Sequence, residues 1–105
     1  MQLNELFVRK QDFSAANTLL SSMSQQRSED PFVWFQLAEV AGLNNDISTL
    51  HKARAEYFIL YGDFDNAEVQ LKALAKKESA KNSELQEYAK KRLQELGSLR
   101  KAAKL

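Results

Sequence analysis

The sequence predicts an all-α fold: a solenoid of helical hairpins with about six helices, in a single domain over residues 1–105. Helix-forming residues dominate a chain that has only one Pro and three Gly. Apolar residues also recur at i, i+3 and i+7 after an Asp, which is the spacing of one helix face behind an N-cap. The expected helices cover residues 2–10, 12–25, 31–43, 46–61, 64–78 and 84–103.

Residues 51–75 show the repeating unit most clearly. Gly62 supplies a left-handed backbone position that ends one helix, and Asp63 is a natural N-cap of the next. Ala55 precedes this turn and Ala67 follows it, and both are small enough for two helices to cross closely. The expected inner stripe of the second helix is Phe64, Ala67, Leu71 and Leu74.

The other helix boundaries follow from local signals. Asp12 and Asp46 are N-cap candidates, and Asp30 precedes Pro31, whose missing N–H does no harm at a first helical position. Ser83 opens the capping box Ser-Glu-Leu-Gln of the last helix, which Gly97 is expected to end or bend. The expected inward residues are Trp34, Leu37, Ala38 and Ala41 in the helix over 31–43, and Leu85, Ala89, Leu93 (or Arg92), Leu96 and Leu99 in the last.

The N-caps repeat at a fixed interval. Asp12 and Asp46 are 34 residues apart, and Asp46 and Asp63 are 17 apart. A period of about 34 is that of tetratricopeptide repeats, and half of it is one helix with its turn. Two ways of grouping the helices into hairpins, here called pairing frames, stay open. The pattern Trp34-x-x-Leu37 favours the helix over 31–43 as the inner helix of a hairpin. The Gly-Asp turn after residue 61 supports the helix over 46–61 in that role.

A solenoid of this kind has a concave groove that can hold an extended peptide or a partner's helix. The candidate groove residues are Phe35, Glu39, Val69 and Lys76 in the favoured frame, and Lys52, Glu56 and Ile59 in the other. Phe32 and Phe35 lie outside the main stripe of their helix. They are either core under a neighbouring helix, which is favoured, or an exposed anchor.

The residues favour no enzyme, metal site or cofactor. One histidine, His51, and no Cys cannot form an ordinary zinc site. The serines lack a base at meaningful spacing, and three scattered glycines form no phosphate loop. No apolar run is long enough to span a membrane, and the first residues do not read as a signal peptide.

The charge is unevenly distributed along the chain. Residues 1–75 carry six Lys or Arg and ten Asp or Glu, whereas residues 76–105 carry nine and four. The basic part could bind nucleic acid or an anionic surface. Interleaved acids and scarce aromatics favour a solvated helix face instead, so no nucleic-acid partner is expected. The basic residues in question are Lys90, Lys91, Arg92, Arg100, Lys101 and Lys104.

Three runs together resemble a known domain. They are residues 37–42 (LAEVAG), 51–58 (HKARAEYF) and 62–67 (GDFDNA). They resemble the C-terminal tetratricopeptide domain of periplasmic zinc metalloproteases of the β-barrel assembly-enhancing protease family, over about residues 30–96. The resemblance implies a periplasmic location and docking to outer-membrane assembly machinery or substrates. The family's zinc motif belongs to a domain absent here, so no catalytic residue is carried over.

Two further expectations concern the context of the chain. It is either an excised domain of such a protease or a stand-alone cytosolic repeat adaptor. A first helix without a preceding repeat would leave an uncapped face, which predicts self-association through Leu3, Leu6 and Phe7.

Overall fold

The computed structural model describes residues 12–76 and 83–103, and within them helices are the only regular secondary structure. Its five helices are α1 (Asp12–Gln26), α2 (Pro31–Leu43), α3 (Ile47–Leu60), α4 (Phe64–Ala75) and α5 (Ser83–Ala103). The all-α class is confirmed, and the expected bounds agree within a residue except at the end of the helix over 64–78. That helix ends at Ala75, because Lys76 takes an extended conformation as its C-cap. The predicted helix over 2–10 and the self-association surface on it lie outside the described residues.

Aspartate side chains begin three of the helices, as the sequence predicts. Asp30, Asp46 and Asp63 each accept a hydrogen bond from a backbone N–H of the first turn, at 3.0, 3.3 and 3.4 Å. Each carboxylate satisfies a donor that has no partner within its helix. Gly62, with φ of +75°, ends α3 in the left-handed conformation, and Asn45 takes the same conformation before α3, with φ of +57°.

Each helix packs mainly on its neighbours in the chain: α1 on α2, α2 on α3, α3 on α4 and α4 on α5. The molecule is accordingly elongated, with principal extents of 45 × 29 × 20 Å. Sequential packing leaves most helices with a face that no other described helix covers. None of the helices described is both long enough and apolar enough to cross a lipid bilayer.

The core consists of two clusters that meet on α3. Ala53 faces a cluster shared with α1 and α2, and Ala55 faces a second cluster shared with α4 and α5; both alanines are fully buried. Small side chains on two sides of α3 let its neighbours approach closely. Around them lie Leu20, Trp34, Leu37, Ala38, Leu50 and Tyr57 in the first cluster, and Phe58, Ile59, Phe64, Ala67, Leu71, Tyr88, Leu93 and Leu96 in the second.

Two expectations about burial are wrong: the favoured core position of Phe32 and Phe35, and the inward position of Leu99. Phe32 and Phe35 are 54% and 46% exposed, because α2 packs through its Trp34 stripe and no described helix covers the opposite face. Leu99 is 37% exposed, since Arg100 takes the side of α5 that faces α4. Of the two roles expected for Gly97, it does not end α5, which continues to residue 103 as the expected range has it.

Candidate functional site

A shallow cavity of about 170 Å³ lies between α2 and α3. On each helix, side chains at i, i+3 and i+4 line it, because these positions share one helix face. Its lining residues are Phe35, Ala38 and Glu39 of α2, and Arg54, Tyr57 and Phe58 of α3. Ala38 contributes only a methyl group, which leaves room between the larger side chains.

Aromatic rings form most of the wall of this cavity. Tyr57 is the central ring: its centroid lies 5.8 Å from that of Phe35, 5.7 Å from that of Phe58 and 4.9 Å from that of Tyr61. The rings are tilted or edge-to-face, with interplanar angles of 47–69°, which are favourable geometries for aromatic pairs. Tyr61 is 65% exposed, so the group, here called the aromatic cluster, presents ring surface to solvent.

Two charges of opposite sign stand at the rim. Glu39 comes from α2 and Arg54 from α3, and both are exposed. Neither forms an ion pair with another residue in the described part of the chain. The cavity therefore has an apolar floor with an acidic side on α2 and a basic side on α3.

The groove residues predicted on α3 lie on another side of that helix, where it meets α5. Glu56 accepts hydrogen bonds from Nε and Nη2 of Arg92, both at 2.8 Å, and from the hydroxyl of Tyr88. The ammonium of Lys52 lies 4.9 Å from the centroid of the Tyr88 ring, and Ile59 packs against the second core cluster. These three residues contact α5 or the core, whereas Phe35 and Glu39 belong to the cavity.

The ionisation of this contact follows from its burial. Burial and then the negative charge of Glu56 raise the pKa of Tyr88 above its ordinary value, so the phenol stays neutral. For Arg92, burial lowers the pKa, but the hydrogen bond and charge of Glu56 outweigh it and the pKa is raised. Glu56 thus receives one neutral and one charged donor from α5.

The groove residues predicted on α4 are exposed. Val69 is 60% exposed, and Lys76 is exposed at the C-terminal cap of the helix. That they line a groove together with Phe35 stays a prediction.

Arg100 makes the second polar contact of α5. Its guanidinium binds the carboxylates of Asp65 at 2.8 Å and Glu68 at 2.7 Å, and it donates to the carbonyl oxygen of Phe64 at 3.2 Å. Arg92 and Arg100 therefore fix α5 to α3 and α4. Two of the six basic residues considered for an anionic partner are used within the molecule.

Sequence reasoning missed Arg54, Tyr57 and Tyr61 as surface residues. Their spacing of three and four positions places Arg54 and Tyr57 on one face of α3 together with Phe58, with Tyr61 following at the C-cap, and this signal was present in the sequence. What the spacing could not show is that Arg54 and Tyr61 stay exposed while neighbouring helices cover Tyr57 only in part.

In the described parts of the chain, no group of three or more His, Cys, Asp or Glu side chains is placed to hold a metal ion. His51 is half-buried, with Nδ1 2.8 Å from Oε1 of Gln70. Comparison with protein-family models, curated proteins and solved structures gave no match for this chain, so the aromatic cluster and its rim charges are the features on which a function can be proposed.

Proposed function

We propose that the chain is a non-catalytic protein–protein interaction module, a tetratricopeptide-like solenoid that binds a partner segment at the cavity between α2 and α3. The aromatic cluster is the observation that carries this proposal. Large rings held half-exposed around a cavity supply interface energy at little entropic cost, which is why such residues dominate binding sites. The order of helix packing, each on its neighbour in the chain, supports the solenoid.

Both pairing frames are compatible with this site. Phe35 and Glu39 were expected in the groove with α2 as an inner helix, and they share the cavity with residues of α3. A partner in an extended or helical conformation could reach the cavity from solvent, since Phe35 and Tyr61 are open to it.

Selection of random peptides displayed on phage against the purified chain tests the proposal. Phe35→Ala should weaken selected peptides about 10- to 30-fold, because truncating an aromatic anchor costs roughly 2 kcal/mol. Glu39→Lys should also weaken binding, whereas moderate salt should weaken it less than Phe35→Ala does, because salt screens only the rim charges. Lys91→Glu, an exposed change on α5, is the matched control, and circular dichroism verifies that each variant folds.

If Phe35→Ala and Glu39→Lys bind every selected peptide as the unmodified chain does, this cavity is not the binding site. If the selection yields no peptide above background, the proposal that the chain binds extended segments is wrong.

The resemblance of residues 37–42, 51–58 and 62–67 supports a more specific proposal. In it, the module is the repeat domain of a periplasmic metalloprotease and recognises outer-membrane assembly machinery or substrates. The native reading frame upstream of residue 1 tests this. A signal peptide followed by His-Glu-x-x-His supports it, and a stop codon directly upstream leaves the stand-alone cytosolic adaptor.

A further inference from the structure

We propose that the partner segment is anchored by a single aromatic side chain, flanked by a basic residue on the α2 side and an acidic residue on the α3 side. This inference rests on the proposed function and specifies the ligand of the same cavity.

The size of the cavity sets the size of the anchor. Its volume is about 170 Å³. An apolar protein cavity of about 150 Å³ is known to accept benzene. One ring or one branched aliphatic side chain therefore fills the space between α2 and α3, and a second large side chain must lie outside.

The wall of the cavity favours a ring over an aliphatic group. Phe35, Tyr57 and Phe58 line it, so an inserted ring can form edge-to-face or offset pairs with rings that are already fixed in place. The guanidinium of Arg54 at the rim can also lie over the face of the inserted ring. An aliphatic anchor would gain the same burial without either contribution.

The rim charges select the neighbours of the anchor. A segment that crosses the cavity from α2 to α3 passes Glu39 first and Arg54 second. A basic residue before the cavity and an acidic residue after it match this polarity. No ion pair among the described residues has to break for either contact to form.

Labelled peptides built on Lys-Ala-Phe-Ala-Glu, with polar Gly-Ser ends, test the inference by fluorescence polarisation and by NMR of the ring resonances. The Phe→Leu peptide should bind about 3- to 10-fold more weakly, the effect of losing aromatic pairing. The Phe→Ala peptide should show no binding. Peptides with Lys or Glu at both flanks should each bind more weakly than the mixed peptide.

Charge exchange on the protein gives the sharper test. Arg54→Glu makes both sides of the cavity acidic and should shift the preference to the peptide with two Lys. Glu39→Lys makes both sides basic and should shift it to the peptide with two Glu. Lys91→Glu changes net charge as Arg54→Glu does, but on α5, and should keep the preference for the mixed peptide.

The outcomes separate this inference from the proposed function. If Leu binds as well as Phe, if neither exchange alters the charge preference, or if the mixed peptide does not bind, the inference is overturned. In those cases the proposed function still stands where peptides selected from random libraries depend on Phe35. If no selected peptide depends on Phe35, both are wrong.

Discussion

The contact between Glu56 on α3 and Arg92 on α5 allows a quantitative test of how the last helix is held. The pair makes two hydrogen bonds of 2.8 Å. Glu56→Gln and Arg92→Met each remove one of its two charges and leave the other charge without it. The side chains are 14% and 22% exposed, so the pair lies between a surface ion pair, worth about 0–1 kcal/mol, and a fully buried pair, whose disruption costs about 3–5 kcal/mol. Each single substitution is expected to cost about 2 kcal/mol.

The double variant is the informative one. Because it leaves neither Glu56 nor Arg92 charged without the other, it should cost less than the two single variants together, by about 1–2 kcal/mol. The exposed Glu95, which binds Arg92 at 3.1 Å, loses its partner in both variants that carry Arg92→Met, so this loss cancels in the comparison. Urea unfolding at neutral pH, followed by far-UV circular dichroism, gives the free energies of unfolding, with unchanged denaturant slopes as the condition for comparing them. The exposed pair of Lys72 and Glu68 provides the control: Lys72→Met should cost less than about 0.5 kcal/mol.

Additive single variants, with a coupling below about 0.3 kcal/mol, would refute the reasoning, because they would show that the two charges do not stabilise each other. A second probe comes from Trp34, whose indole N–H donates to the carbonyl of Ser28 in the half of the molecule away from α5. If α5 separates before the rest unfolds, the dichroism transition of the Arg92→Met variant should precede the Trp34 fluorescence transition.

Three further tests use substitutions at local features of the fold. In urea unfolding, Asp46→Ala should cost about 2 kcal/mol and Asp63→Ala about 1 kcal/mol. The difference is expected because Asp46 is 7% exposed and accepts a hydrogen bond from Asn17 of α1 in addition to capping α3. Equal costs would contradict this reasoning. Gly62→Ala should lower the free energy of unfolding by about 1 kcal/mol, because residue 62 has a positive φ. Gly97→Ala should raise it by about 0.5–1 kcal/mol, because Gly97 lies inside α5 with open space around it. Changes of the same sign for both substitutions would contradict this prediction. Burial and then the charge of Glu56 raise the pKa of Tyr88 in the folded state, so the stability that this phenol contributes is intact below about pH 10 and is lost as pH rises further. The difference in free energy of unfolding between the unmodified chain and Tyr88→Phe should therefore shrink between about pH 9 and pH 11. A difference that stays constant over this range would contradict the assignment.

The features that the sequence predicted correctly depend on residues close together in the chain. An N-cap such as Asp30 acts on a backbone N–H two or three positions away, so the Asp and the apolar pattern after it suffice to place a helix start. The buried stripe of α2 follows in the same way from a helical period around Trp34 and Leu37.

What the sequence could not decide depends on which helix covers which face. Phe35 fits a buried position as well as it fits an exposed one, and only the absence of a described helix over its side of α2 exposes it. Glu56 resembles any solvated acid in a helix until Tyr88 and Arg92, 32 and 36 positions later, are found against it. Such contacts between distant positions leave no periodic signal in a single sequence.

The uneven charge of the chain has a structural explanation in these same contacts. Glu56, Asp65 and Glu68 belong to the acid-rich part, and they bind Arg92 and Arg100 of the basic part. An anionic partner would have to compete with carboxylates that already hold both guanidinium groups at 2.7–2.8 Å. The opposite charges of the two parts therefore favour docking of α5 on α3 and α4.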